Sequence, residues 1–148
     1  MNYKKIYYWS PSFVNIATNR AVINSSYSVG KYNNYFKCSI INFFGEFTKF
    51  KRELSDKRVE TIDFYNSNLI NFFPKHGKVS SRFSFLLIFL LSFFPLKNLI
   101  QKKKPAYLII HLITSLPLIL LIFFKFETKF ILRISGLPKM NFLRKLLW

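Results

Sequence analysis

Few residues in this sequence have the types and spacing that catalytic or metal chemistry requires. The chain has one cysteine, Cys38, and two histidines, His76 and His111. A single cysteine cannot form an internal disulfide, and no Cys/His cluster has zinc-like spacing. Gly-rich phosphate loops and Ser/His/Asp arrangements are also absent from the sequence. The sequence therefore predicts no metal and no cofactor, and the cysteine content favours a reducing, cytosolic setting.

The candidate ligand-binding residues follow or end short apolar segments. Ser10 and Asn15 come after the first segment, and Glu46 comes after the second. His111 ends the fourth segment, and Arg133 lies within the fifth. Hydroxyl, amide, carboxylate, imidazole and guanidinium groups can all hydrogen-bond sugar hydroxyls, and the donors among them can also bind phosphate.

Each of these candidates also has a purely structural interpretation. Ser-Pro and Asn favour turns, which would explain Ser10 and Asn15. An acid such as Glu46 favours a helix N-terminus, and His111 can bond a loop carbonyl. The residue types alone do not decide between these roles.

Arg133 and the loop that follows it form a further candidate site. A buried charge is costly when it is unpaired, so we expect Arg133 either to reach a phosphate or to pair with Glu127 or Asp63. Ser135 and Gly136 can present backbone N–H groups to an anion, or they can form a tight turn before a proline.

Five segments rich in β-branched and aromatic residues predict the strands that position these candidates. They are Ile6–Trp9, Cys38–Phe44, Val59–Tyr65, Tyr107–Leu112 and Thr128–Ile134. A helical period from Thr18, a plausible N-cap, to about Lys31, with Gly30 near the end, predicts a helix after the first strand. Strands alternating with helices predict an α/β fold, namely a Rossmann-like, mostly parallel sheet with helices on both faces. Ligands of such sheets bind at the carboxyl edge of the strands, where the candidates lie.

The charge of the chain favours an anionic partner. Lys and Arg number 23 against 6 Asp and Glu, a net charge of +17. An AT-rich coding bias toward Lys, Asn, Ile and Phe explains part of this excess equally well. Because no recognition helix, aromatic sheet platform or zinc pattern accompanies the charge, we expect no nucleic-acid partner.

Hydropathy suggests an alternative, a small two-span basic membrane protein with a helical hairpin at about 83–124. Phe83–Leu96 and Tyr107–Phe124 are both apolar, and a basic turn joins them. However, Phe83–Leu96 has only 14 residues, whereas crossing a bilayer needs about 20. The second segment contains His111 and Pro117, which fit a strand, a turn and a helix better than a span. Surface attachment through the basic, aromatic first half of the chain is compatible with the α/β fold.

Four segments in order resemble the N-terminal domain of bacterial GT-B glycosyltransferases of the group 1, family 4-like class. They read YYWSPSFVNIATNRAVINSSYSV, CSIINFFGEF, KKKPAYLIIHLITSLPLILLIF and FILRISGLPKMN. The most telling parts are the Trp9-Ser10-Pro11 turn, the approach from Pro105 to His111, and the RISGLP segment at 133–138. The resemblance covers Lys5 to Trp148.

The resemblance implies a retaining, two-domain enzyme that transfers a sugar from a nucleotide-sugar donor to a surface polysaccharide or lipopolysaccharide acceptor. Residues 1–148 would form the acceptor-side domain, incomplete at its C-terminal end, and the donor-binding domain would be absent. We then expect a catalytically silent, cytoplasmic fragment, peripheral at the inner face of the plasma membrane. The glycine pair of many relatives after the first strand is missing here, so no catalytic residue is assigned.

Overall fold

The computed structural model describes residues 3–12, 17–65, 69–72, 78–112 and 115–133. The strands are β1 (Lys4–Trp9), β2 (Phe36–Asn42), β3 (Glu60–Asp63), β4 (Tyr107–His111) and β5 (Lys129–Arg133). The α-helices are α1 (Ala17–Tyr32), α2 (Lys51–Asp56), α3 (Lys78–Lys103) and α4 (Ser115–Phe123), with 3₁₀ turns at Thr48–Phe50 and Leu69–Phe72. All strand pairs are parallel, in the order β3-β2-β1-β4-β5. The predicted Rossmann-like α/β fold is confirmed.

Helices cover both faces of the sheet because side chains alternate along its buried strands. Tyr7 and Trp9 of β1 belong to one core cluster, whereas Ile6 and Tyr8 belong to the other. The first cluster is closed by α3 and α4 through Ile88, Leu96, Ile100, Leu116 and Leu120. The second is closed by α1 and α2 through Val22, Ile23 and Leu54. The strand order reverses between β1 and β4, which creates the ligand-binding crevice of such sheets at their carboxyl ends.

The helix predicted from Thr18 to about Lys31 is confirmed to within one residue at each end, but the predicted capping residues are wrong. The helix begins at Ala17, so Thr18 lies inside the first turn and is not the N-cap. It continues to Tyr32, so Gly30 lies within the last turn, near the end as predicted, but does not stop the helix. The helical bonding continues past the glycine, since the N–H of Asn33 still donates to the Val29 carbonyl at 3.1 Å.

Helix α3 is longer than the apolar segment at Phe83–Leu96 predicted. It has 26 residues, and within the described residues it is the one helix long and apolar enough to cross a membrane, over Phe83–Lys103. Contrary to the prediction, this segment is therefore not too short to cross a bilayer. The two-span hairpin is nevertheless contradicted, because Tyr107–His111 is a strand within the sheet and α4 has only nine residues.

A hydrogen bond from outside the helix explains how α3 continues through Pro95. Proline lacks the N–H that would bond the carbonyl four residues earlier, which is that of Leu91. The hydroxyl of Tyr65 donates to this carbonyl at 3.0 Å. The bond lost at Pro95 is thus replaced by one from the segment that follows β3.

Candidate functional site

A row of polar side chains lies at the carboxyl edge of the sheet. Asn42, the last residue of β2, is in register with Asp63 of β3. On the other side, His111 of β4 is in register with Arg133 of β5. Residues in register across parallel strands project from the same face of the sheet. Asn42 and His111 lie two residues after Ile40 and Ile109, which pack on the α1 side, so they project from that face.

Ser10 joins the two halves of this row. It follows Trp9, which ends β1 and is in register with Ile41 of β2 and Ile110 of β4. One residue further along, Ser10 reaches the level of Asn42 and His111. We call these five residues the polar row: Asp63, Asn42, Ser10, His111 and Arg133.

The centre of the polar row lies at the switch point between β1 and β4, and it contains two buried polar atoms with no partner. Ser10 is 1% exposed and His111 is 3% exposed. Within the described part of the chain, neither the Ser10 Oγ nor the His111 Nε2 has a hydrogen-bond partner. Leaving such an atom unpaired costs about 1–3 kcal/mol, and native proteins rarely do so without a reason. A polar ligand in the crevice would provide the missing partner.

The imidazole of His111 is neutral at physiological pH. Burial, together with the smaller effect of the nearby positive charge of Arg133, lowers the pKa of His111 to about 4. A neutral imidazole has one nitrogen that donates a hydrogen bond and one that accepts. His111 can therefore recognise a hydroxyl group, but it cannot supply a positive charge to a phosphate.

Arg133 supplies the positive charge of the row. The predicted structural pair with Glu127 or Asp63 is wrong, because Glu127 bonds Lys104 at 2.9 Å and Asp63 accepts a hydrogen bond from Asn42. Among the described residues, Arg133 forms no ion pair, and it is exposed because β5 is the edge strand. Its guanidinium is free to bind an anion.

The other half of the polar row is satisfied internally. Asn42 donates from its Nδ2 to the Asp63 carboxylate, and its Oδ1 accepts the N–H of Phe47 at 3.2 Å. The Thr61 hydroxyl donates to the second Asp63 oxygen at 3.1 Å. Asn42 was not predicted as a site residue. It could have been recognised because it is the first polar residue after the buried Ile40-Ile41 pair, where β2 ends. Asn42 and Asp63 shape the loop after β2 rather than offer free groups.

Glu46 binds its own loop. It is 4% exposed, and its carboxylate accepts the N–H of Phe44 at 2.9 Å. Burial raises the pKa of Glu46 to about 7. The Glu46 carbonyl accepts from Asn19 of α1 at 3.3 Å, and Asn19 accepts from Ser12 at 2.8 Å. This chain of bonds ties α1 to the loops after β1 and β2; contact of Glu46 with a sugar stays a prediction.

Comparison with known proteins adds a structural neighbour. No family model matches the sequence, and no curated protein is significantly similar to it. The crystal structure of a glycosyltransferase from Rickettsia africae superposes with a TM-score of 0.62 and 13% sequence identity. The match covers 99% of this chain and 34% of that one. The chain has a glycosyltransferase-like fold. At this identity the likeness concerns the fold, and the chain spans about a third of the neighbour's length.

The backbone is strained at Leu112, directly after His111. Leu112 has a φ of 67°, in the left-handed region. This conformation costs a residue with a side chain about 1–2 kcal/mol, and strain of this kind concentrates at ligand sites.

The other loop candidates, Asn15, Ser135 and Gly136, lie outside the described residues.

The clefts at the opposite edge of the sheet are less suited to recognise a ligand. One, of about 300 Å³, is lined by Tyr27, Lys31 and Arg58, and another, of about 340 Å³, by Lys5 and Lys103, among others. Both lie at the amino ends of the strands, away from the switch point. Lys5, Lys31 and Lys103 are exposed, and no buried polar atom without a partner lies among the described residues of these clefts.

Proposed function

We propose that this chain is the acceptor-side half of a GT-B glycosyltransferase that transfers a sugar from a nucleotide sugar to a surface polysaccharide or lipopolysaccharide acceptor. The observation that carries the proposal is the pair of buried atoms without partners, Ser10 Oγ and His111 Nε2, at the switch point of a glycosyltransferase-like fold. A serine hydroxyl and a neutral imidazole both match sugar hydroxyls, which donate and accept hydrogen bonds.

The charges of the row support a division of roles. Ser10 and His111 would hold hydroxyl groups of the acceptor, and Arg133 would face a phosphate, either of the donor or of a glycolipid acceptor. The nucleotide sugar itself would be held by a second domain of a longer protein. We also propose a cytoplasmic location at the inner face of the plasma membrane, where lipid-linked acceptors are accessible.

Nuclear magnetic resonance of the ¹⁵N-labelled chain tests the acceptor site. We expect a lipopolysaccharide core oligosaccharide to shift the amide signals of Ser10 and His111. A Ser10→Ala variant should bind it about 2- to 10-fold more weakly, the value of one hydrogen bond. Ser92→Ala is the matched control, because the Ser92 hydroxyl is also buried without a partner but lies in the middle of α3.

Three results would contradict the proposal. Glycan binding that is absent, or equally weakened by both serine variants, would remove Ser10 from the site. Tighter binding of UDP-glucose than of the oligosaccharide would make this the donor side. Measurable sugar transfer by the chain alone would show that no second domain is needed.

A further inference from the structure

Helices α3 and α4 expose a broad apolar surface on the side that faces away from the sheet. We call it the apolar face; it comprises Phe83, Leu86, Leu90 and Phe94 of α3 and Leu118, Leu121, Ile122 and Phe123 of α4. In α3 these residues recur at steps of three and four, so they form one stripe along the helix. The exposed fractions reach 65% at Phe94 and 76% at Ile122.

The two helices pack against each other, so their exposed residues lie on neighbouring helices. The rings of Phe93 in α3 and Phe124 after α4 lie 6.3 Å apart. The Lys97 ammonium lies 4.5 Å from the centre of the Phe124 ring. Soluble monomers rarely expose so many contiguous large apolar side chains unless the surface binds something.

The segment that carries the apolar face has no acidic residue. Residues 64–126 contain eight Lys and Arg and no Asp or Glu. Near the ends of α3 and α4, Lys102 and Lys125 are exposed and have no ion-pair partner among the described residues. Basic residues beside an apolar surface are the combination that binds anionic lipid.

We propose that the apolar face docks on an anionic lipid bilayer, with α3 and α4 lying in the interface. The inference goes beyond the proposed function, since it would hold for this fold with any activity. It also differs from attachment through the first half of the chain, because the apolar face lies in the second half.

The observations favour this occupant over the two alternatives. A second copy of the chain would bring another basic surface, because each copy carries a net charge of +17. A membrane-spanning α3 would have to expose Ile88, Leu96 and Ile100, which are buried against the sheet. A surface-bound α3 keeps those contacts and buries the opposite stripe.

The position of α3 brings this surface close to the polar row. Tyr65, two residues beyond β3, bonds Leu91, so α3 passes the carboxyl edge of the sheet near Leu91, next to Leu90 and Phe94 of the apolar face. A bilayer on the apolar face would therefore lie at the same end of the molecule as the candidate site.

Flotation of the full chain with lipid vesicles tests the proposal. The chain, made by cell-free translation, is mixed with phosphatidylcholine vesicles with or without phosphatidylglycerol. We expect flotation with the anionic vesicles and release by an alkaline carbonate wash. The double variant Leu90→Ser/Phe94→Ser should bind about 10- to 100-fold more weakly, because each lost side chain contributes about tenfold on burial.

Two further variants separate the apolar and the charged contributions. Tyr32→Ser/Tyr35→Ser, which removes two aromatic rings of 79% and 78% exposure outside the apolar face, should bind like the unmodified chain. Lys102→Gln/Lys125→Gln should lose about fivefold for each lysine, and only on anionic vesicles. Circular dichroism of each variant verifies that it is folded.

Several outcomes would overturn the proposal. Equal vesicle binding by the folded Leu90→Ser/Phe94→Ser variant would remove the apolar face from the contact. Resistance to carbonate would indicate a membrane span. Dimers that form without vesicles and are lost in the same variant would make a second copy the occupant.

Discussion

Two buried titratable side chains near the carboxyl edge have pKa values displaced in opposite senses. Burial lowers the pKa of His111 from 6.5 to about 4 and raises that of Glu46 from 4.5 to about 7. The folded state binds fewer protons than the unfolded state at His111, so this residue makes stability fall as the pH drops from 6.5 to 4. At Glu46 the folded state binds more protons, so stability falls as the pH rises from 4.5 to 7.

We predict that single substitutions will separate these two opposing effects. In Glu46→Gln only the histidine effect remains, and stability should rise with pH between about 4 and 6.5. In His111→Gln only the carboxyl effect remains, and stability should fall with pH between about 4.5 and 7. Each change amounts to at most about 3 kcal/mol. Urea unfolding of both variants across this pH range measures the slopes, and slopes of the same sign would contradict the assignment.

The glycines provide a second prediction at the residue scale. Gly45 has a φ of 96°, where alanine is strained, so Gly45→Ala should destabilise the fold by about 1–2 kcal/mol. At Gly30 in α1 an added methyl group meets open space, so Gly30→Ala should stabilise by about 0.5–1 kcal/mol. Denaturant unfolding of the two variants measures the change in the free energy of unfolding, which should be negative for Gly45→Ala and positive for Gly30→Ala. A loss of stability in Gly30→Ala would mean that its place in the helix is wrong.

The residues of the site were only partly predictable from the sequence. The positions of Ser10 and His111 at the ends of apolar segments correctly indicated that they lie at the carboxyl edge of the sheet. The pairing of Arg133 was wrong because its exposure depends on β5 being an edge strand, which a local pattern does not reveal. The role of Asn42 required the register of β2 with β3, which brings together residues 21 positions apart.

At the scale of the elements, the strands followed from their apolar runs, whereas α3 did not. Its Pro95 and its polar last turns suggested an early end. The helix continues because the hydroxyl of Tyr65, 26 residues before Leu91, bonds the carbonyl that Pro95 leaves free. A contact between residues so far apart in the sequence cannot be predicted from the local pattern of apolar residues.

This replacement bond predicts energetic coupling between Tyr65 and Pro95. In the unmodified chain, Tyr65→Phe should cost about 0.5–1.5 kcal/mol, the value of one hydrogen bond. Pro95→Ala restores an N–H that can bond the Leu91 carbonyl, so in that background Tyr65→Phe should cost much less. A double-mutant cycle from denaturant unfolding measures the coupling. Additive effects of the two substitutions would show that the Tyr65 hydroxyl does not replace the missing bond.

For the whole molecule, we expect charge repulsion to outweigh the ion pairs. The net charge is +17, and the described ion pairs are Lys37–Glu60, Lys57–Glu53 and Lys104–Glu127. Pairs that are exposed, as two of these are, contribute about 0–1 kcal/mol each, and the half-buried Lys57–Glu53 pair is an i,i+4 helix pair of similar value. The excess of like charges destabilises the compact state throughout. Salt weakens both the ion pairs and the repulsion, so the larger of the two decides whether salt raises or lowers the stability of the fold.

We therefore predict that sodium chloride stabilises the fold. Raising the ionic strength from about 0.01 M to about 0.15 M shortens the screening length from about 30 Å to about 8 Å, which removes most of the long-range repulsion. The urea midpoint should rise. Glu60→Gln removes the pair with Lys37, whose N–O distance is 2.7 Å, and adds one net positive charge, so its midpoint should rise more steeply with salt. A midpoint that falls with salt would mean that the three ion pairs, and not the basic excess, set the electrostatic stability of the molecule.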